Sequence, residues 1–347
     1  MARMETDGRL ASGNPKRLLI LFVRRRDLAH FSQTSSAVGS HPRLLKDHPR
    51  LRQYVTHRQI YLLILPGLLY FIIFKVAPIW GYTVAFEDFN PFKGILGSKW
   101  VGLHYFVQLV HGKYFLEMFR NTVVISLMNL VFYFPAPIIL ALLLNEIRNE
   151  PFRRVNQTIL YVPHFMSWVV IAGVTFFLLS VDVGVVNKAI SFFGGKPVSF
   201  LSNKWLFWWI ILLQNVWRET GWGTIIFLAA MSQIDPTMYE AATVDGASRL
   251  QQIVRITIPS IMPTIVILFI IQLGQIIQVS FEQILLMSNP YVLSVAQVFD
   301  TYAYSQGVVG GNFSIGVAVG IFKSVIGLVM VVTANTAIKR LGQEGIY

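Results

Sequence analysis

The chain contains no cysteine, and that absence removes disulfide scaffolds, thiolate metal sites and cysteine nucleophiles together. Charge is scarce as well. Asp, Glu, Lys and Arg make up 13% of the 347 residues, against roughly 25% in an ordinary soluble domain. No G-x-x-x-x-G-K-[ST] phosphate loop occurs: "GGKPVS", from Gly194, has Ile190 where the first glycine would stand. ATP binding is therefore not built into this chain. No cleavable signal is expected either, because the apolar run Leu18 to Val23 has six residues and stops at Arg24, Arg25 and Arg26, whereas a signal core needs about 7 to 15. No carboxylate pair, Ser-His-Asp set or ligand cluster shares a plausible depth, so no catalytic, cofactor or metal site is expected.

What fills the chain instead is apolar sequence, with 54% hydrophobic residues and a mean hydropathy of +0.56. A helix crosses the hydrocarbon core in about 20 residues. Six runs of that kind stand at about 60 to 80, 119 to 144, 159 to 180, 205 to 232, 260 to 287 and 313 to 337, which predicts an all-α membrane protein with six transmembrane helices. The net charge of +12 would suit nucleic acid, but a nucleic-acid binder needs no such runs; a positive-inside bias accounts for it. Twelve of the Lys and Arg residues lie before residue 60, three in 145–158, two in 233–258 and two after 338. The alternate loops 81–118, 181–204 and 288–312 hold three, three and none. Both termini are thus expected in the cytoplasm. Residues 1–59 read as a basic cytoplasmic extension suited to anionic headgroups, in which "HPRL" recurs from His41 and His48. Residues 60–347 read as the membrane domain.

Pro66, Pro78, Pro135, Pro137, Pro163 and Pro263 fall in or beside the runs. Each frees a backbone carbonyl that lipid cannot satisfy, and either kinked packing or a shaped cavity answers that need.

One charged stretch interrupts the pattern. Asp235, Glu240, Asp245, Arg249 and Arg255 would cost on the order of 3 kcal/mol each at a bilayer centre, roughly 15 in all, so residues 235–257 form a loop between the fourth and fifth runs. "DPTMYEAA" opens with Asp235 as an N-cap and Pro236 at the first helical position, and Asp245 is available to cap a second start, "GASRLQQIVRI". Gly246 between them can take a positive φ. Two short helices meeting at a glycine, with a small face of Ala241, Ala242 and Ala247, suit insertion into a partner's cleft.

"EAATVDGA" followed by "ITIP", with ten residues from Gly246 to Ile256, resembles the EAA loop of the permease subunits of binding-protein-dependent ABC importers. The family pattern has Leu where this chain has Ile258. The resemblance implies the type I, maltose-importer-like permease fold, and a coupling segment at 235–259 in which Glu240, Ala241, Ala242, Asp245, Gly246, Ala247, Ile256 and Pro259 dock on an ATP-hydrolysing subunit. It also implies partners: a second homologous permease, two ATP-binding subunits that hold the ATP and Mg, and an extracytoplasmic solute-binding protein, all at a bacterial inner membrane. Over about residues 57–347, "SKWVGLHYF", "NEIRNEPFRRVNQTILYVPHFMSWVV", "WRETGWGTIIFLAAMSQIDPTMYEAA" and "FDTYAYSQGV" are similar to the subgroup importing polysaccharide-derived oligosaccharides, alginate and rhamnogalacturonan fragments among them. The long basic N-terminus departs from that pattern.

Ionisable groups inside spans are functional candidates because they are expensive there. Lys75, Arg218, Glu219, Glu282 and Lys323 qualify. One reading is local pairing. The other places Arg218 and Lys323, with Trp217 beside Arg218, along a path for acidic sugars, since Arg binds carboxylates bidentately. Trp168, Trp208, Trp209, Trp217 and Trp222 could stack on sugar rings, although Trp208 and Trp209 suit an interfacial belt. His164, beside Pro163, reads as a packing or hydrogen-bonding group. An ion-coupled secondary transporter is the rival reading, but it has no need of a cytoplasmic helix pair with this spacing.

Overall fold

A computed structural model describes residues 58–340. The basic extension, with its repeated HPRL, lies almost wholly outside the described residues, as does the end of the chain from residue 341. The chain divides at Val76 into two units. Of the first, the structure describes α1, Arg58–Phe71, with Pro66 inside it, and a π-turn Ile72–Val76 that carries Lys75.

The second unit begins with a tight helical stretch Ala77–Phe86 and a two-stranded antiparallel ribbon, β1 Glu87–Asp88 and β2 Lys99–Trp100, paired Glu87 to Trp100. Helices follow: α2 His104–Val110, α3 Phe115–Met128, α4 Pro135–Asn145, α5 Glu150–Tyr161, α6 Trp168–Leu179 and α7 Val185–Phe192. After them come α8 Lys204–Met231, α9 Pro236–Val244, α10 Arg249–Gln252, α11 Ile258–Gly274, α12 Phe281–Met287, α13 Leu293–Ala296, α14 Phe299–Tyr302 and α15 Phe313–Arg340. The architecture is all-α apart from the small ribbon.

Four helical runs among the described residues are long and apolar enough to cross a bilayer: Gln59–Phe86, Phe115–Asn145, Arg249–Gly274 and Phe313–Arg340. A fifth arises if Glu150–Phe165 and Trp168–Leu179, bent by 101° at a short break, count as one span. The expected third run, 159 to 180, is therefore no straight helix. Pro163 sits in the tight turn Val162–Phe165, and Ser167 then recaps α6 by accepting from Val170 N. The expected fourth run is the 28-residue α8, long enough at ~1.5 Å per residue but diluted by Gln214, Asn215, Arg218 and Glu219. By apolarity alone the described residues hold four such spans, or five with the bent pair, where the sequence predicts six.

The expected fifth run, 260 to 287, is corrected more sharply. Its helix stops at Gly274, residues 275–280 are non-helical, and α12 begins afresh at Phe281. Ser126 of α3 donates its hydroxyl to the freed carbonyl of Ile276, and amide side chains crowd the break. Irregular backbone at membrane depth persists where protein or a wet cavity satisfies it.

Three apolar clusters hold the second unit. Ile125, Phe207, Ile211, Ile284 and Met287 join α3, α8 and α12. Tyr105, Met118, Phe299 and Ile315 join α2, α3, α14 and α15. Ala141, Phe227, Met231 and Ile261 join α4, α8 and α11. The backbones of α8 and α5 meet at Gly221, where an added Cβ would lie 1.9 Å from the carbonyl oxygen of Leu160.

Candidate functional site

The candidate residues gather at two sites, the charged segment 235–259 and a polar cavity among the apolar helices. In the first, Asp235 caps α9 by accepting from Thr237 N at 2.9 Å, with Pro236 in the first turn. That backbone hydrogen bond holds the Asp235 carboxyl below its ordinary pKa. The helix ends on Asp245. Gly246 follows at φ +78°, Gly246 N donates to Thr243 O at 3.1 Å and Ala247 N to Ala242 O at 2.8 Å. This is a Schellman turn, which needs the left-handed residue that glycine supplies without strain. An added Cβ at Gly246 meets nothing within 4 Å, so only the backbone conformation demands glycine inside this chain.

The second start is not capped by Asp245. Ser248 takes that role in a reciprocal box with Gln251: Ser248 N donates to Gln251 Oε1 at 2.7 Å and Gln251 N to Ser248 Oγ at 3.4 Å. Asp245, spent at the end of α9, is three residues too early. Nor is the second helix separate. From Arg249 it runs through a π-turn at Ile253–Thr257 into α11, one 26-residue helical run to Gly274. Gln252, 5% exposed, fastens α9 to this run by donating to Thr243 Oγ1 at 3.0 Å and Ala247 O at 3.4 Å. Tyr239 and Thr257 share a hydroxyl hydrogen bond of 2.9 Å. The candidate coupling residues divide accordingly. Glu240, Ala241, Asp245, Gly246 and Pro259 are exposed, whereas Ala242, Ala247 and Ile256 are half-buried. Met238, Val244 and Leu250 complete an exposed apolar face.

The opposite end of the same helical run reaches the second site. A cavity of about 310 Å³ is lined by Asn129, Trp168, Asn215, Arg218, Glu219 and a set of glutamines, Gln272, Gln275, Gln278 and Gln283. Asn215 donates to Asn129 at 2.9 Å, and Gln283 to Gln214 at 2.9 Å and to Ile211 O at 2.8 Å. Arg218 is both paired and at the cavity wall. Its guanidinium bonds Glu219, donates to Met166 O at 3.1 Å and stacks 4.6 Å from the Trp168 ring centre. The other Glu219 oxygen meets His164 Nδ1 at 2.8 Å, and His164 lies flat on Trp222 with centroids 4.6 Å apart.

The remaining candidates lie elsewhere. Lys323 pairs with Asp300, and Asp300 lines a different, largely apolar cavity of about 440 Å³ with Phe281 and Tyr304. Trp217 is 48% exposed and does not line the Arg218 cavity. Trp208 does not line that cavity either; it is half-buried and its indole N–H donates to Val295 O at 2.9 Å. Glu282 is exposed on α12. The glutamines carry no charge and so do not stand out among the ionisable candidates. Their mark was present in "QLGQIIQ", three amides at every third position inside an apolar run.

Among known proteins, the family model described as binding-protein-dependent transport system inner membrane component matches residues 133–342. The polygalacturonan/rhamnogalacturonan transport system permease protein YteP of Bacillus subtilis (strain 168) is 47% identical over 297 residues, covering 86% of this chain and 92% of that protein. Protein LplB of the same strain is 46% identical over 288 residues, covering 83% and 91%. A chain in the crystal structure of a bacterial alginate ABC transporter, in complex with its alginate pentasaccharide-bound periplasmic protein, is 38% identical. Its TM-score is 0.78, over 85% of this chain and 99% of that one.

Proposed function

We propose that this chain, which belongs to the family of binding-protein-dependent transport system inner membrane components, carries acidic, polysaccharide-derived oligosaccharides across the bacterial cytoplasmic membrane. It is a permease subunit of an ABC importer and not an ion-coupled transporter. The observation that carries the finer reading is that the EAA segment and the polar cavity occupy the two ends of one helical run, Arg249–Gly274. At ~1.5 Å per residue that run is about 39 Å long, and it delivers movement at one end to the other.

On this reading an ATP-hydrolysing partner grips the exposed face around Glu240, Ala241 and Gly246. Gln252 keeps α9 and the long helix moving as one piece. Displacement then reaches the break at residues 275–280, where Gln275 and Gln278 line the cavity. Amide groups there donate to and accept from sugar hydroxyls, and Arg218, backed by the Trp168 ring, offers the guanidinium that suits a uronate. The polygalacturonan and alginate named for the relatives are acidic polymers, which supports the same substrate class. The partners are a second permease, two ATP-binding subunits and a solute-binding protein, with this chain's loops 81–118, 181–204 and 288–312 outside the cell.

The test is uptake into proteoliposomes by the purified complex with its binding protein. Acidic oligosaccharides should accumulate only with internal ATP, and vanadate should stop them; neutral oligosaccharides of equal length should be poorer substrates. Equal uptake of both would remove the acidic assignment.

A further inference from the structure

We propose that the segment between α6 and α8, residues 180–203, is an interfacial anchor that takes anionic lipid headgroups of the leaflet it faces. One buried side chain ties its middle to both of its ends. Asn187 of α7, 2% exposed, donates from Nδ2 to Ser180 O and Val198 O, each at 3.0 Å, and accepts from Val198 N at 2.8 Å. Ser180 directly follows the last turn of α6, so the middle of the segment is tied to the end of a membrane helix and stays near that level.

A segment pinned in this way holds outward what water disfavours. Phe192 and Phe193 are 85% and 84% exposed, and their rings meet edge to face with centroids 5.4 Å apart. Trp205, in the first turn of α8, is 82% exposed. Single exposed apolar residues need no account, but adjacent rings presented by a fastened loop do. Charge selects the occupant. Residues 181–204 carry Lys188, Lys196 and Lys204 against Asp182 alone. Rings that settle at the boundary of headgroup and acyl chain, with ammonium groups among the phosphates above them, form the interfacial pairing. Lysine stems reach over the apolar layer to do this. A docked binding protein is the competing cover, and the test below separates it from lipid.

The inference rests on the loop lying at a membrane surface and not on the identity of the sugar. Because this chain has no cysteine, Phe192→Cys in the transporter assembled with cysteine-free partner subunits takes a single environment-sensitive fluorophore. The protein is placed in vesicles of phosphatidylcholine with or without phosphatidylglycerol, a fraction of the lipid bearing a nitroxide near the headgroup. The expected result is strong quenching by nitroxide lipid and protection from aqueous iodide. Nitroxide-labelled phosphatidylglycerol should quench more than labelled phosphatidylcholine, and Lys188→Gln with Lys196→Gln should lower that preference by about fivefold per lysine. Should Phe192→Cys fail to assemble, Val185→Cys on the same helix, also exposed, gives the same reading. Iodide access equal to that of a probe at Ser305, with no nitroxide quenching, overturns the proposal. Protection that appears only after the binding protein is added overturns it too, and assigns the rings to protein docking.

Discussion

Gly246 shows how one residue can serve two demands that are separable by substitution. Its φ of +78° costs a side-chain-bearing residue about 1–2 kcal/mol, while nothing in this chain fills the space where a Cβ would point. Gly246→Ala should therefore weaken transport only several-fold. Gly246→Leu adds bulk that only a docked partner can feel, and interface substitutions of that kind remove about 2 kcal/mol or more. Retention of the ATPase subunits on the purified permease should fall more than about tenfold further in the leucine variant than in the alanine variant. Equal behaviour of the two would mean that no partner presses on this glycine. The glycine was legible in sequence because a helix end needs the left-handed conformation; the Schellman partners Ala242 and Ala247 were legible only as a small face. Arg218 divides in a similar way. Removing one member of a partly buried ion pair leaves the other short of a partner, so Glu219→Gln alone should lower the assembled yield. Arg218→Gln with Glu219→Gln should restore assembly while uptake of acidic oligosaccharide stays low. If the double variant transports acidic sugars normally, Arg218 is a structural partner and nothing more.

At the scale of elements, the second helix start of the charged segment and the continuity of the fifth span are where pattern reading went wrong, and both errors have a physical cause. Apolar periodicity reports burial but not continuity. It could not see that α10 joins α11 through a π-turn, or that helix stops at Gly274. Charges at Arg249 and Arg255 marked a boundary of the membrane, which is not a boundary of the helix. The bend before α6 was signalled by Pro163, but its 101° depends on contacts from α8, with Arg218 bonded to Met166 O and Glu219 to His164. Continuity makes Gln252 the fastening on which coupling turns. Gln252→Leu keeps the volume, loses the hydrogen bond to Thr243 of α9 and leaves Ala247 O, in the turn that follows α9, without its donor, a cost of about 1–3 kcal/mol. The expected outcome is uncoupling: ATP hydrolysis persists, while oligosaccharide moved per ATP falls several-fold. A proportional fall in both would show that α9 transmits through another contact.

At the scale of the whole molecule, helical class and membrane residence were legible because composition alone demands them, and the family because the EAA spacing is long and specific. The span count was less legible. A helix such as α8 is admitted to the membrane by what its polar residues find there, Gln214 with Thr175 at 2.7 Å and Asn215 with Asn129 at 2.9 Å, and no hydropathy window contains those partners. Orientation rests on a different quantity. Lys and Arg concentrate before residue 60 and in 145–158 and 233–258 and thin out in the alternate loops, a bias that retains basic segments on the cytoplasmic face. Single cysteines test it cleanly in a chain that has none. Ser202, Ser305 and Ser248 are all exposed, so each substitution spares the core. An impermeant thiol reagent applied to whole spheroplasts should label Ser202→Cys and Ser305→Cys and miss Ser248→Cys until the membrane is opened. In the assembled importer Ser248→Cys should also be shielded by the ATP-hydrolysing subunits, because it adjoins the exposed face around Gly246, and it should become reactive when those subunits are stripped away. Labelling of Ser248→Cys from outside, with the other two silent, would invert the topology and place the EAA segment where no ATP-hydrolysing partner could reach it.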